Sequence, residues 1–391
     1  DNFLFFKNQI QSRKINNSQK VGWLTTWNSR CGIASYSRYL IQNLINEVRI
    51  YAPIDENIIG IDEDTVTRCW SFNKSLDNLK ESIIQDKITF LVIQFNYGFY
   101  DLSDFSEFLR FLNNNSISVI IFFHSTQDPK LNPVKKLSKL KNVLSLCDRL
   151  MVHTPSDLNR LKNLNLIKNA CLFPHGIIDF DKNDNIEKNE ITIFNPVNLK
   201  FSSHSFHISS YGFCLPNKGF PELIYAIKIL RDKNLDIFLT LRTASYGEEF
   251  EWFYNELISL IKKLNLINYI SIDNNYYDDN TTLRELSNSD LIVYPYQISN
   301  ESSSAAIRQG LASGAPVAVT PLSIFDDVKL ITYQLPGVSP NDIAKGILIW
   351  FTKGKSYQRT QINPDLKASW IKEHSYSSLG IRLQGIINAL G

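Results

Sequence analysis

Short apolar runs alternate along this chain with stretches in which apolar residues recur every three or four positions. Val21–Thr25, Phe90–Phe95, Ser118–Phe123, Leu150–His153 and Ala170–Phe173 are rich in β-branched and aromatic residues and read as strands. Ile33, Tyr36, Leu40 and Leu44 mark one face of a helix, and further helices are predicted around Phe105–Leu112 and over Ser156–Leu164. The polar, charged stretch 179–190 (DFDKNDNIEKNE) interrupts this pattern, as a surface linker does. Alternation resumes with strands at Ile208–Gly212, Ile237–Leu241, Tyr269–Ile272, Leu291–Tyr294 and Pro316–Val319. Helices are predicted at Phe220–Leu230, Glu249–Leu264, Leu283–Asn288 and from Glu301 onward, and Leu366–Leu390 reads as mostly helical.

Such alternation on both sides of a break predicts the α/β class, as two doubly wound, Rossmann-like domains facing a cleft. The expected division is a tail at 1–19, a first domain at 20–178 and a linker at 179–200, then a second domain at 201–355 and a helical segment at 356–391. Ligands of open parallel sheets sit beyond the carboxyl ends of the strands, so candidate chemistry belongs in the loops that follow them.

Composition narrows the classes of function. A chain of 391 residues with 43% apolar and 12% aromatic content can bury large cores, which excludes a disordered or disulfide-framed protein. Lys plus Arg number 41 against 39 Asp plus Glu, so there is no electrostatic footprint for a nucleic acid. The five cysteines (Cys31, Cys69, Cys147, Cys171, Cys214) are scattered without a C-x-x-C pair, which fits reduced thiols in a cytoplasmic protein. No apolar run approaches the roughly twenty residues that cross a bilayer. The chain opens on Asp1 with no basic-then-apolar leader, and reads as one module of a longer protein.

Several motifs are informative by failure. No G-x-G occurs, and Gly354-Lys355-Ser356 has only the tail of a P-loop, because its first glycine would fall on Ile349. Asp62/Asp64 and Asp179/Asp181 read as solvated loop carboxylates, no H-E-x-x-H is present, and no metal is expected. Other residues follow strands directly. Gly32 sits where the first helix begins and leaves its backbone open to a phosphate or sugar, although a turn glycine serves equally well there. His124 comes immediately after a strand, and His153 and His175 also follow strands. Lys218 brings one cation to a helix entrance within Gly212-Phe-Cys-Leu-Pro-Asn-Lys-Gly219. Glu301, Ser302, Ser303 and Ser304 are expected in a first helical turn, where hydroxyls and free N–H groups form an anion nest.

In this order these residues resemble the retaining nucleotide-sugar glycosyltransferases of the GT-B fold, the group 1 type of many bacterial surface-polysaccharide mannosyl- and glucosyltransferases. The resemblance runs from about residue 20 to the end. The Gly32 loop is similar to that family's glycine loop, Phe173-Pro-His-Gly176 to its P-N-G turn, and Asn217-Lys218-Gly219 to its K-G motif. Glu301 to Gly314, with Ala315-Pro-Val-Ala-Val-Thr320, is similar to its E-x7-E block and the turn after it. Trp370 falls in a helix similar to the one that crosses back onto the family's first domain. Two positions depart from the pattern: Phe213 stands where an arginine is frequent, and Gln309 where a second glutamate usually binds ribose.

The resemblance implies transfer of a sugar with retention, without metal or cofactor, from a nucleotide-sugar donor to a saccharide or lipid-linked saccharide. GDP-mannose is the first expectation for the donor and a UDP-sugar the second. Gly32, Lys218, Ser302, Ser303 and Gln309 would bind the donor, and His124 and Glu301 would act at the sugar. The setting it implies is the cytoplasm, at the inner face of the membrane. A nucleotide-sugar epimerase and a non-catalytic module of a polysaccharide-assembly protein remain as alternatives.

Overall fold

A computed structural model describes residues 19–130, 132–180, 205–245, 250–299 and 301–390. Nearly all of the expected tail and of the expected linker lies outside the described residues.

Among these residues the strands form two wholly parallel sheets. The first has the order β3-β2-β1-β4-β5-β6-β7, from β1 (Val21–Leu24), β2 (Val48–Pro53), β3 (Val66–Trp70), β4 (Phe90–Phe95), β5 (Ser118–Phe123), β6 (Arg149–Val152) and β7 (Ala170–Leu172). Every residue of β4 is inaccessible to solvent. This is why its sequence is apolar but for Gln94 and shows no alternation. Helices α1 (Gly32–Ile41), α2 (Asp77–Gln85), α3 (Leu102–Asn114), α4 (Lys141–Leu144) and α5 (Pro155–Asn163) connect the strands.

Helix α3 shows how these connections are fixed. The Asp101 carboxylate accepts from the N–H groups of Ser103 (2.8 Å) and Asp104 (3.2 Å), a cap of about 1 kcal/mol. Leu102, Phe105, Phe108, Leu109 and Leu112 then face the sheet at helical spacing. Phe105 stacks on Tyr100 with ring centroids 4.6 Å apart. Each fully buried side chain of this kind contributes roughly 1.5–3 kcal/mol.

The second sheet has the order β10-β9-β8-β11-β12-β13, from β8 (Phe206–Phe213), β9 (Ile237–Ala244), β10 (Ile270–Asp273), β11 (Leu291–Tyr294), β12 (Val317–Val319) and β13 (Tyr333–Gln334). Its helices are α6 (Phe220–Arg231), α7 (Glu251–Lys263), α8 (Asp279–Ser287), α9 (Ala305–Ala312) and α10 (Pro340–Gln361). One core gathers Leu223, Ile227, Leu241, Leu257, Ile347 and Trp350, and a second gathers Tyr294, Tyr296, Ile307, Leu311 and Phe325.

The chain ends in α11 (Pro364–His374) and α12 (Tyr376–Leu390). The described residues form two compact units. One contains the chain up to Gly176, Glu301–Ser303 and the residues from His374; the other runs from Ile177 to Ser299 and from Ser304 to Glu373. Helix α12 packs on α1 within the first unit, where Tyr376 stacks on Tyr39 at 5.0 Å and Gln384 accepts from the Ile45 N–H at 2.8 Å. Trp370 lies in the second unit, 5.8 Å from the Arg308 guanidinium.

The α/β, doubly wound architecture is the expected one. Strands β2, β3 and β13 and helices α2, α4 and α10 add to the elements expected from the sequence. In each sheet the strand order reverses beside the first strand, between β1 and β4 and between β8 and β11. Those switch points are where a parallel sheet opens a crevice for a ligand.

Candidate functional site

In the first unit the loop from β1 to α1 is held by charge. Arg68 donates to the Trp27 carbonyl (3.0 Å) and to Asp62 (2.6 Å), while the Trp27 N–H donates to Glu56 (3.0 Å). The Arg68 hydrogen bond holds the Asp62 carboxyl below its usual range, so Asp62 is a structural partner of arginine. Gly32 is the first residue of α1, after Cys31 as N-cap.

His124 follows β5, and its backbone N–H donates to the Phe95 carbonyl at 3.1 Å. Its Nε2 lies 2.7 Å from Oε1 of Gln94, a fully buried side chain in β4. The three strand-end histidines gather around Tyr36, with ring centroids 5.2 Å (His124), 5.4 Å (His153) and 5.1 Å (His175) from its own. His153 and His175 turn Nδ1 to the carbonyls of Phe173 (3.0 Å) and Gly176 (2.9 Å). Burial, and then the neighbouring His153, push the His124 imidazole well below its usual pKa, so it is neutral at neutral pH. Burial drives the Tyr36 phenol well above its ordinary value, and its hydroxyl is buried without a hydrogen-bond partner.

Beside this cluster Asp157, wholly buried, is a hub. Its Oδ1 accepts from Thr126 (2.5 Å), Arg160 (2.8 Å) and Ser302 (3.0 Å), and its Oδ2 from Thr154. The N–H of Ser302 points to the carbonyl of His124 at 3.4 Å. His124 and Ser302 are therefore brought together, and the Ser302 hydroxyl is given to a carboxylate. Glu301 is exposed in the same short segment. This corrects the expectation of a helix from Glu301. Helix α9 begins at Ala305, because Ser304 has extended dihedrals (φ −104°, ψ 119°) and caps it through the Ile307 N–H at 3.4 Å. Ser302 and Ser303 precede the helix and are outside its first turn.

In the second unit β8 ends at Phe213, whose ring stacks on Tyr276 with centroids 6.4 Å apart. Lys218 then falls in a 3-10 turn (Pro216–Lys218) closed by Gly219 in the left-handed region (φ 75°, ψ 23°). A Cβ at Gly219 would lie 1.9 Å from the Pro295 carbonyl oxygen, so a side chain is excluded by contact as well as by strain. Lys218 is 7% exposed, and its Nζ sits 4.1 Å from the centroid of the Tyr296 ring. The Tyr296 hydroxyl is 3.1 Å from the Ser304 hydroxyl, and a Cβ on Gly212 would lie 3.7 Å from that of Ala306. Gly212, Lys218, Tyr296 and the start of α9 thus converge at the β8/β11 switch point. Gln309 points elsewhere: its amide donates to Asp279 at 2.5 Å, across to the first turn of α8, and its carbonyl is buried without a partner.

No family model matches the sequence, and no curated protein matches it. Solved structures do resemble the fold. A glycosyltransferase from Rickettsia africae aligns over 96% of this chain and 99% of its own at TM-score 0.69 and 14% identity. Sucrose-phosphate synthase from Thermosynechococcus elongatus aligns over 95% and 99% at 0.71 and 11%. Anabaena HepE in complex with UDP aligns over 95% and 100% at 0.72 and 11%. The fold is GT-B. At these identities the likeness establishes the architecture alone.

Within the GT-B frame, Asp157, Gln94, Tyr36, Tyr296 and Asp279 are absent from the site residues expected from the sequence. Two left a signal. Thr154-Pro155-Ser156-Asp157 after a strand is a helix cap with an acidic third residue, and Gln94 is a polar residue inside an otherwise apolar strand. Among the described residues no three His, Cys, Asp or Glu side chains converge as metal ligands, and no helix is long and apolar enough to cross a membrane.

Proposed function

We propose that this chain is a glycosyltransferase that moves a sugar from a nucleotide-sugar donor to a saccharide hydroxyl with retention. The observation that carries this reading is the convergence of Lys218, Tyr296 and the N-terminus of α9 at the switch point of a GT-B second sheet. A leaving diphosphate gains negative charge in the transition state. A fixed ammonium and a helix amino end stabilise that charge without reorganising. The proposal gives the donor diphosphate to Lys218, backed by the glycine-lined turn after β8. His124, neutral and held by Gln94, would hydrogen-bond sugar hydroxyls, and Glu301 would orient the sugar.

A UDP-sugar moves ahead of GDP-mannose as donor. HepE is described in complex with UDP and glucose, and Escherichia coli trehalose-6-phosphate synthase as bound with UDP-2-fluoro glucose. A saccharide or lipid-linked saccharide acceptor, at the cytoplasmic face of a membrane in surface-polysaccharide synthesis, is the context proposed. Two specific observations favour a second reading, a non-catalytic or degenerate module. Gln309 replaces the family's ribose-binding glutamate and is tied to Asp279, and Phe213 replaces its arginine.

The test is release of nucleoside diphosphate from a panel of nucleotide sugars, with and without saccharide acceptors. Acceptor-dependent release supports transfer. Binding without release supports the second reading, and inversion at C2 without acceptor would identify an epimerase.

A further inference from the structure

The second unit holds a cavity of about 290 Å³ that none of the candidate site residues lines. It opens beside Pro316, ahead of β12, at the amino edge of the sheet. Lys218 and Tyr296 follow the carboxyl ends of β8 and β11, at the other edge. Its floor is apolar, with Trp350, Ile362 and Pro316, and its rim carries Lys355, Arg359 and Lys367. No carboxylate lines it.

The chain goes to some length to place these cations. Helix α10 breaks at Gly354 (φ 70°, ψ −176°), backbone that an L side chain disfavours. Past the break, Lys355 and Arg359 stand four residues apart, a like-charge spacing that weakens a helix. From 343 to 364 the sequence contains Lys345, Lys353, Lys355 and Arg359 and no acidic residue. Neither Lys355 nor Arg359 has a hydrogen bond or ion pair among the described residues. Lys367 is anchored, donating to the carbonyls of Ala315 (2.9 Å) and Gly314 (3.3 Å). Three cations around an apolar floor, with two of them repelling each other, complement a dianion that carries an apolar body.

We propose that this cavity binds a small phosphomonoester, its phosphate on Lys355, Arg359 and Lys367 and its body over the apolar lining of Pro316, Ile362 and Pro364. The volume suits roughly a dozen non-hydrogen atoms, at the small end of ligand pockets. The same chemistry is offered by a soluble phosphomonoester and by the phosphate headgroup of phosphatidic acid, and the experiment separates them.

Phenyl phosphate is titrated calorimetrically into the full chain with UDP present in excess, and into the Lys355→Ala/Arg359→Ala double variant. Both side chains are exposed, so the variant is expected to keep its thermal midpoint. In parallel, flotation is measured with vesicles containing phosphatidic acid. The expected result is phenyl phosphate binding at least tenfold tighter than inorganic phosphate, weakened at least tenfold in the double variant. Flotation lost in the same variant would make the lipid headgroup the source, and its absence would make the source soluble. Failure of both probes to bind overturns the proposal. So does binding that the variant leaves unchanged, or phenyl and inorganic phosphate binding alike and both vanishing with moderate salt, as at a merely screened surface.

Discussion

The first unit closes the carboxyl edge of its sheet with side chains bonded to one another, whereas the second leaves that edge to a cation, a ring and a helix end. Asp157 draws in Thr126, Thr154, Arg160 and Ser302, and His124 is fixed by Gln94 and faces the ring of His153. In the second unit Lys218 rests on the face of Tyr296, and Ser304 caps α9. The shared strand order thus carries two kinds of edge. One holds a neutral, pre-set imidazole, and the other concentrates positive charge. Hydrogen-bonded hydroxyls suit recognition of a sugar, while fixed positive charge suits recognition of a phosphate.

The largest expected effect lies in the chemistry. His124→Ala and Glu301→Gln should each lower turnover tenfold to a thousandfold, about 1.4–4 kcal/mol of transition-state stabilisation, while nucleoside diphosphate affinity stays within a few-fold. Steady-state kinetics set beside calorimetry would show this. Loss of nucleotide binding instead would erase the contrast between the two edges.

Next is stability. Asp157→Ala leaves several buried donors without an acceptor and should cost about 3 kcal/mol in denaturant unfolding. A change below 1 kcal/mol would mean the hub is ornamental.

A smaller effect is expected at Gln309. Placing a glutamate at this position with Gln309→Glu sets a second carboxylate against Asp279, and should destabilise the second unit by about 1–2 kcal/mol near neutral pH. Thermal unfolding would check it, with partial recovery expected in acid as one carboxyl takes a proton. A stabilised variant would show that the amide is not tied to Asp279.

These effects rest on residues of unequal visibility in the sequence. Strands such as β4 and β5 are buried on both faces, and their apolar runs announce them. β2 ends in Pro53, and β3 leaves Val66, Thr67 and Arg68 half-buried, so neither shows such a run. Helix α10 carried a readable start, since Ser339 caps it through the Asp342 N–H at 3.2 Å with Pro340 in first position. The run of three serines obscured where α9 begins. Any of them can cap a helix, and only Ser302's bond to Asp157, distant in sequence, removes it from that role. Lys218 was legible as a cation after a strand, but its burial against Tyr296 was not, because that ring comes from the next strand's loop. Tertiary partners are what local patterns omit.

The smallest effect is in pH. His124 in the first unit and His207 in the second both have their pKa lowered, chiefly by burial. A histidine depressed in the fold is neutral there while the unfolded chain takes up a proton below about pH 6.5. Stability should therefore be flat above that value and fall as the solution is acidified, until the folded imidazoles titrate as well. His124→Gln should flatten only the first unit's share, measured as unfolding midpoints across pH 5–7. A variant as acid-sensitive as the parent would show that His124 is not held neutral.

The most direct measurement is calorimetric titration of UDP into the parent chain and into Lys218→Met, which keeps the apolar stem and removes the charge. The second unit's edge, as a diphosphate site, predicts UDP binding weakened by about 1.5–3 kcal/mol in the variant, the worth of a hydrogen bond to a charged group. Equal UDP affinity in the two proteins, or none in the parent for any nucleoside diphosphate, would contradict it.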